Sequence, residues 1–403
     1  QDIYNNPNIR DLAYFIDHKD VMNLLEVDLT DIDKAKILNN TKPFDLSCVL
    51  ITGVTGFLGI HLLKDLLYND STKKIYCIIR NKFQKNGNQR LHDMVEYYYS
   101  SDSEINKLID KKVVVLNGDV TKDYLGLDFN TYESLRDKVK TVVNSAANVR
   151  HFVKPTQIRK DNVESVNNII KFCSDKISLA HISTLSVVGF KKMGIEISDF
   201  DENSLYMNQN LDNNPYLISK FEAEKNILIS ICNDNLNANI FRIGNIMPRC
   251  SDGLFQKNAN QNVFLSALKA IMECKMIPLD YLDTPLEFSP VDECSSFVIN
   301  LLNKNLPYTI YHIANPYTIT FKDFKNFLSS LGYDLKVTDY DEFLDDLSKY
   351  ADEYTKEYLL ASNINGFNET RTLENLRDCN IEWKKIDLEY IKKIINIIHH
   401  FDD

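Results

Sequence analysis

The sequence predicts an α/β protein with a doubly wound parallel sheet and a smaller, mostly helical C-terminal lobe. Apolar runs typical of buried strands alternate with amphipathic runs typical of helices from residue 49 to residue 244. The first of these strands leads into three glycines spaced three residues apart. The alternation stops after Gly244, where helical patterns with aromatic and charged faces take over.

Several apolar runs are continuous, as expected for strands covered by helices on both faces of a sheet. The predicted strands are 49–51, 74–80, 112–119, 141–147, 179–185, 239–244 and 309–314. The predicted helices between them are 60–67, 89–99, 131–139, 157–174 and 215–232. Crossovers in such a sheet are right-handed, and the ligand binds at the carboxyl ends of the strands.

The same patterns predict the division of the chain. Residues 1–45 form an acidic leader or linker segment, and residues 46–245 form the nucleotide-binding domain. Residues 285–315 return to that domain, and residues 246–284 and 316–403 form the substrate-binding lobe. The chain begins with neither an initiator methionine nor a signal peptide, so we expect it to be a piece of a longer protein.

The bulk composition narrows the classes of function. The 46 basic and 57 acidic residues give a net charge of −11, which argues against general nucleic-acid binding. No apolar run approaches the ~20 residues that a membrane span needs, so we expect no membrane partner. The eight cysteines form no CxxC pair and the histidines show no ligand spacing, so we expect reduced thiols, no metal and a cytoplasmic location.

The glycine-rich turn after the first strand predicts a dinucleotide site of the Rossmann type. Gly53 allows the tight turn, Gly56 lets the backbone approach a pyrophosphate, and Gly59 lets the following helix pack closely on the strand. The phosphates then lie at the helix N-terminus. The predicted cofactor contacts in this turn are Thr52, Gly53, Thr55, Gly56, Phe57, Leu58 and Gly59.

The ends of the next strands indicate which dinucleotide binds. An NAD site usually has Asp or Glu at the end of the second strand, whereas this chain has Arg80, with Arg90 at the start of the next helix. Guanidinium groups pair well with a 2′-phosphate, so NADPH is the predicted cofactor, although Arg80 as a solvated strand-end cation is the alternative. Asp119 and Val120 follow the third strand, where Asp119 either accepts a hydrogen bond from adenine or caps a turn.

Small residues at the end of the fourth strand leave room for the ribose and nicotinamide of the cofactor. Asn144, Ala146 and Ala147 are therefore predicted cofactor contacts. The signal is weak by itself, because small residues also permit ordinary helix packing.

The strongest catalytic signal is the pair Tyr216 and Lys220, which share one helix face at a spacing of four residues. A nearby lysine cation lowers the pKa of a tyrosine hydroxyl from its ordinary value near 10, which suits proton donation to a carbonyl oxygen. Lys220 also holds the cofactor ribose in this hypothesis. Thr184, preferred over its neighbour Ser183, supplies a second hydroxyl to the same oxygen.

These motifs together resemble the extended short-chain dehydrogenase/reductase superfamily. Within it, the chain is similar to the terminal thioester reductase domains of non-ribosomal peptide synthetases and to carboxylic acid reductases. The resemblance spans about residues 20–315 and rests on the form of the glycine turn, CIIR (77–80) with Arg90 and Leu91, NSAANV (144–149) with Asn162 and Val163, HISTLSV (181–187) and FRIGNI (241–246).

The resemblance implies an NADPH-dependent reductase that releases an acyl or peptidyl thioester as an aldehyde, which some members reduce further to an alcohol. The substrate is carried on the phosphopantetheine arm of an upstream carrier domain in a multidomain synthetase. Thr184 and Tyr216 would hold the thioester oxygen, with Lys220 beside them. Residues 97–111 or the leader would dock the carrier, and the sequence does not choose between them.

Some features depart from the family or remain open. Arg150 and His151 stand where the family more often has other residues, and His151 either lines the substrate channel or is structural.

The alternative enzymes are a fatty acyl-CoA reductase and a nucleotide-sugar epimerase or dehydratase. Outside the enzymes, the alternatives are a non-catalytic NADP(H)-sensing regulator and a purely structural module. The sequence gives neither the acyl group nor the final product.

Overall fold

The structure, a computed structural model, describes most of the chain after residue 41. The described residues are 36, 42–82, 84–149, 154–174, 176–189, 200–207, 209, 211, 214–304, 306–360 and 366–400. Nearly all of the predicted leader 1–45, together with Arg150 and His151, therefore lies outside the described residues.

Seven parallel strands form the central sheet, which confirms the predicted fold class. The strands are β1 (Cys48–Thr52), β2 (Lys74–Ile79), β3 (Val113–Asn117), β4 (Thr141–Asn144), β5 (Ser178–Thr184), β6 (Ala238–Ile243) and β7 (Ile310–Ile313). Their order is β7-β6-β5-β4-β1-β2-β3, so the direction of winding reverses on either side of β1. Thr52 at the end of β1 lies in register with Ile78 on one side and Asn144 on the other.

Helices cover both faces of the sheet, as the continuous apolar strands predict. The helices are α1 (Phe57–Tyr68), α2 (Gly87–Tyr99), α3 (Ile105–Lys112), α4 (Phe129–Lys138), α5 (Pro155–Arg159), α6 (Ser165–Cys173), α7 (Pro215–Asp234), α8 (Val263–Cys274), α9 (Val291–Asn303), α10 (Phe321–Ser330), α11 (Tyr340–Leu347), α12 (Glu353–Leu360), α13 (Thr370–Arg377) and α14 (Leu388–His399). Within β1, Val49 and Ile51 pack into the core beneath α1, α2 and α9, whereas Leu50 packs into the core beneath α4, α6 and α7. The alternation of side chains along a strand produces this division.

A third core lies outside the sheet and is built mainly from α8, α10, α11, α12 and α14. Three two-stranded sheets join its segments, pairing 246–247 with 289–290, 285–286 with 319–320, and 276–278 with 336–338. The sequence shows few strand signals there, because strands of two or three residues are too short for a periodic pattern. Leu376 and Trp383 pack instead on the core beneath α1 and α9. The division into domains at residues 246, 285 and 316 stays a proposal.

Most predicted elements are present, and their ends differ by a few residues. The fourth strand stops at Asn144 instead of residue 147, because the chain leaves the ladder there toward α5. The predicted helix 157–174 is interrupted by a π-helical turn, Lys160–Glu164, between α5 and α6. Helix α3, which the sequence analysis does not assign as a helix, is short and ends with Lys111 and Lys112.

Within the ranges that the structure describes, no helix combines the length and the apolar character that crossing a membrane requires. The same ranges contain no group of three or more His, Cys, Asp or Glu side chains arranged to hold a metal ion.

Candidate active site

The glycine turn has the geometry that a dinucleotide site requires. Gly53 has a left-handed backbone (φ 75°), and its carbonyl accepts the Gly56 N–H at 2.8 Å. Gly56 then caps α1, whose first turn carries no acidic residue. A Cβ on Gly59 would lie 2.1 Å from the Gly53 oxygen, so only glycine permits this contact between helix and turn. The exposed N-terminus of α1 therefore fits an anionic pyrophosphate.

Two arginines lie beside this turn. Arg90 on α2 donates to the Arg80 carbonyl at 2.5 Å and to Thr55 Oγ1 at 3.0 Å. Burial lowers the pKa of Arg90, and the nearby charge of Arg80 lowers it further. Two neighbouring guanidinium groups repel each other, and a phosphate between them would relieve that repulsion. The donors present therefore fit a dinucleotide that carries an additional phosphate near the end of β2.

Thr52 and Asn144, two predicted cofactor contacts, direct their side chains toward each other. The Thr52 hydroxyl donates to Asn144 Oδ1 at 2.6 Å and accepts the Ala146 N–H at 3.2 Å. Asn144 Nδ2 lies 3.1 Å from His181 Nδ1. Both side chains are buried. Their contacts join β1, β4 and β5. The adjacent Ser145 and Ala147 line a cavity that opens between the glycine turn and the end of β5.

Asp119 shapes a turn in this structure. Its Oδ1 accepts the backbone N–H of Thr121 at 3.0 Å and the Thr121 hydroxyl at 2.9 Å. Its own N–H donates to the Leu125 carbonyl at 2.8 Å, and Leu125 has a left-handed backbone (φ 58°). Val120 is buried against the core beneath α4. The turn role of Asp119 is thus present, and its contact with adenine remains a prediction.

The predicted catalytic residues meet where β5 ends beside α7. Asn214 caps α7 by accepting the N–H groups of Tyr216 and Leu217 at 3.0 and 3.3 Å. Thr184 and Tyr216 line the same cavity, and hydrogen bonding by the Thr184 side chain favours the ionised form of Tyr216 and so lowers its pKa. The Lys220 ammonium donates to the Ile182 carbonyl at 2.6 Å, one helical turn below Tyr216. The structure therefore brings two hydroxyls and a cation together at one cavity.

Ser183 faces away from Tyr216. Its hydroxyl donates to the carboxylate of Glu224, which lies two helical turns beyond Tyr216 on α7. Successive residues of a strand point to opposite sides, so Ser183 and Thr184 cannot both meet the tyrosine. This geometry favours Thr184 as the active hydroxyl.

Burial dominates the electrostatics of the site. It raises the pKa of Tyr216 to about 12, and the hydrogen bond from Thr184 opposes this shift only in part. It also lowers the pKa of Lys220 to about 8, and the charge of Glu224 opposes that shift. This differs from the expectation that Lys220 lowers the tyrosine pKa, because the ammonium is directed to Ile182 O. Tyr216 is therefore protonated at neutral pH and can act as a proton donor.

Asn162, a buried residue beside α7, belongs to the sites that the sequence indicated only through the family resemblance. Asn162 Nδ2 donates to Asn148 O and to Ser219 Oγ, both at 2.9 Å, and Asn162 Oδ1 accepts the Asn148 N–H at 2.7 Å. It lies in the π-helical turn between α5 and α6. The bonds connect the end of β4 to α7 in the turn that carries Tyr216. No spacing rule in the sequence identifies this role.

The cavity has a volume of about 660 Å³ and lies between the sheet and the third core. The glycine turn and the residues at the end of β5 form one side. Residues 256–258 and 261–264, together with Tyr358 on α12, form part of the opposite side. The cavity therefore has room for a substrate next to the hydroxyl pair, enclosed partly by the predicted substrate lobe.

Comparison with known proteins identifies relatives of this chain. The NAD-binding family model described as Male sterility protein matches residues 51–298, from β1 into α9. A curated relative, Probable polyketide synthase 39 of Dictyostelium discoideum, is 26% identical over 370 residues, which cover 80% of this chain. The chain spans only 12% of the length of that relative.

Solved structures share the fold over nearly the whole chain. A thiolation-reductase di-domain from an archaeal non-ribosomal peptide synthetase superposes with a TM-score of 0.82 and 27% identity, covering 100% of this chain and 87% of that one. The terminal R domain from the myxalamid PKS-NRPS biosynthetic pathway has a TM-score of 0.77 and 23% identity, covering 94% of this chain and 98% of that one. At that identity the second likeness shows the fold alone.

Proposed function

The chain belongs to the NAD-binding family described as Male sterility protein, and from this premise we propose that it releases a carrier-bound acyl or peptidyl thioester reductively as an aldehyde, with NADPH as cofactor. It is an oxidoreductase of the extended short-chain dehydrogenase/reductase type, similar to a solved thiolation-reductase di-domain. The observation that carries the chemistry is that Thr184, Tyr216 and Lys220 line one cavity beside the glycine turn, with Lys220 on the same helix face as Tyr216.

The residues around the glycine turn would hold the cofactor. Its pyrophosphate would lie at the N-terminus of α1, and its additional phosphate would lie near Arg80 and Arg90. Lys220 would hold the ribose hydroxyls when its ammonium turns from Ile182 O. When bound there, NADPH supplies a hydride to the thioester carbon.

The chain itself contributes hydrogen bonds and a proton. Thr184 and Tyr216 donate to the thioester oxygen, where negative charge develops as the carbon becomes tetrahedral. Tyr216 passes its proton to that oxygen, which completes a hemithioacetal. The hemithioacetal then collapses: its C–S bond breaks, its hydroxyl oxygen becomes the aldehyde oxygen, and the hydroxyl proton passes to the released thiolate. Tyr216 regains a proton from solvent. A second round with a further equivalent of cofactor would give the alcohol.

The direct test compares substrates under one set of conditions. A carrier protein loaded with an acyl thioester, an acyl-CoA and a UDP-sugar are each mixed with the protein and NADPH, and consumption of NADPH is followed by its absorbance. We expect turnover with the carrier thioester and an aldehyde or alcohol product by mass spectrometry. Turnover with acyl-CoA alone would favour a fatty acyl-CoA reductase. Conversion of the UDP-sugar alone, followed by chromatography because these reactions consume no net NADPH, would favour the epimerase or dehydratase alternative. Binding of NADPH without turnover of any of the three would favour the regulator.

The partner in this proposal is a carrier domain that bears phosphopantetheine, within a multidomain synthetase. Support comes from the archaeal structure, which joins a thiolation domain to a reductase domain. The proposed docking segment within the described residues is 97–111, which spans the end of α2 and most of α3.

Replacing Arg80 by Ala tests the preference for NADPH. We expect affinity for NADPH to fall at least about tenfold, because a charge-assisted contact to the 2′-phosphate contributes about 1.5–3 kcal/mol. Affinity for NADH, which lacks that phosphate, should change little. Fluorescence titration with both cofactors measures the difference, and Lys171→Ala, which removes an exposed positive charge on α6, is the control. An equal loss for NADPH and NADH would contradict the role of Arg80.

A further inference from the structure

A carboxylate that the proposed chemistry does not use is buried directly behind the active site. Glu224 follows Tyr216 and Lys220 at the same spacing of four residues, so all three lie along one face of α7. Tyr216 and Lys220 line the cavity, whereas Glu224 is 2% exposed. A buried carboxylate requires compensation by an opposite charge and by hydrogen bonds.

Arg242 on β6 supplies that compensation. Its Nη2 and Nε donate to Glu224 Oε2 at 2.8 and 3.1 Å, and the arginine is fully buried. Its Nη1 donates to the Ser204 carbonyl at 3.0 Å, and the guanidinium lies 4.9 Å from the centre of the Phe200 ring. The guanidinium is thus held from several sides, and its position fixes that of the Glu224 carboxylate.

Helix α7 holds the end of β5 through two consecutive residues. Lys220 donates to the carbonyl of Ile182, and Glu224 accepts the hydroxyl of Ser183. Thr184 comes next in the strand and contacts Tyr216. The Glu224 contact therefore fixes the side to which Ser183 points, and with it the opposite direction of Thr184.

Glu224 is also the carboxylate whose charge favours the ammonium form of Lys220. His181 on β5 and His312 on β7 have pKa values held well below their ordinary value, chiefly by burial, so both are neutral. Arg242 lies on β6 behind Glu224, and Tyr216 is protonated on the same helix. Without Glu224, desolvation of Lys220 would be unopposed, and the ammonium would lose its proton at a lower pH.

Resting on the proposed function, we propose that Glu224 is a positioning residue: held by Arg242, it places a negative charge one helical turn from Lys220 on the same face of α7, and through Ser183 it turns Thr184 toward Tyr216. It acts through these neighbours and does not contact the substrate. The assignment follows from the buried contacts that join Ser183, Glu224 and Arg242.

The experiment compares the Glu224→Gln variant with the native protein over pH 6 to 10. Affinity for NADP⁺ is measured by titration, and kcat/KM is measured with the carrier thioester. In the native protein both should fall above about pH 8, where Lys220 loses its proton. In Glu224→Gln we expect the midpoint of both declines to move to lower pH by at least about half a unit, because the favourable charge is gone. Glu222→Gln is the matched control, since Glu222 lies on the same helix and pairs with Arg159 at 2.6 Å.

If the midpoint of the decline in Glu224→Gln lies at the same pH as in the native protein, and only the kcat/KM below that pH is smaller, the proposal is overturned. A purely structural loss lowers activity equally at every pH. If Arg242 left unpaired prevents folding, Glu224→Gln combined with Arg242→Met removes both buried charges and is judged by the same shift. If that pair also fails to fold, Glu224→Asp retains the charge at a greater distance and should move the midpoint in the same direction by less. An unchanged midpoint in the variant that folds overturns the proposal. A native protein that binds NADP⁺ but does not reduce the thioester overturns the proposed function, and the affinity measurement still decides the role of Glu224.

Discussion

Replacing Tyr216 by Phe should reduce the turnover of the carrier thioester by about 10²–10⁴-fold, the usual contribution of a positioned proton donor. The ring and its packing remain, so the change removes only the hydroxyl that meets Thr184. Lys220 and the glycine turn are untouched, so affinity for NADPH should stay nearly native. The loss is expected in kcat and kcat/KM alike, because the hydrogen bond strengthens as charge develops on the oxygen.

Steady-state kinetics with a thioester-loaded carrier, together with fluorescence titration of NADPH, measure the two effects separately. Tyr206→Phe is the matched control, since that ring packs against Phe221 on the same helix. Near-native turnover by Tyr216→Phe would refute the assignment of this tyrosine. Because burial raises the pKa of Tyr216 to about 12, the tyrosine itself should add no decline to the pH profile below about pH 10.

Replacing Gly59 by Ala should abolish cofactor binding, with a loss of stability of about 2 kcal/mol. Two effects oppose each other at this buried position in α1. Alanine has the higher helix propensity, which favours the variant by about 1 kcal/mol. Its Cβ, however, would lie 2.1 Å from the oxygen and 2.6 Å from the carbon of the Gly53 carbonyl. Backbone cannot rotate away as a side chain can, so the overlap outweighs the propensity, and α1 must move off the turn.

Denaturant unfolding gives the change in the free energy of unfolding, and titration gives the affinity for NADPH. Gly366→Ala is the control, because among the described residues no atom beyond its chain neighbours lies within 4 Å of the position that its Cβ would occupy. Native stability and native cofactor affinity in Gly59→Ala would show that α1 and the turn do not pack as described.

The positions of the sheet strands along the chain could be predicted because each strand carries its own signal. A continuous apolar run followed by an amphipathic run identifies a strand and its crossover helix without reference to distant residues. The short strands that pair 276–278 with 336–338 carry no such signal, because their pairing depends on contacts between segments far apart in the chain. The π-helical turn at Lys160–Glu164 escaped prediction for a related reason, since its packing against α7 is a tertiary contact.

In the candidate site, too, the sequence could identify residues paired by local spacing but not residues brought together by contacts between distant elements. Tyr216 and Lys220 could be paired from the sequence, because four residues of helix always place two side chains on one face. Thr52 and Asn144 were predicted to face the cofactor, yet they bond to each other at 2.6 Å, and only the pairing of β1 with β4 brings them together. Arg242 was noted only as part of the FRIGNI motif and Glu224 was not noted at all, because the two residues lie on different elements and meet only in the folded chain.

By itself, the sequence determined the parallel sheet, the glycine turn and the Tyr216–Lys220 pair, because spacing along one strand or helix sets each of them. The tertiary structure decided which hydroxyl lies next to Tyr216. The way β5 packs beside α7 directs Ser183 to Glu224 and Thr184 to the tyrosine. It also decided the sign of the Tyr216 pKa shift. A pKa depends on burial and on the three-dimensional position of nearby charges, and neither follows from spacing along the chain.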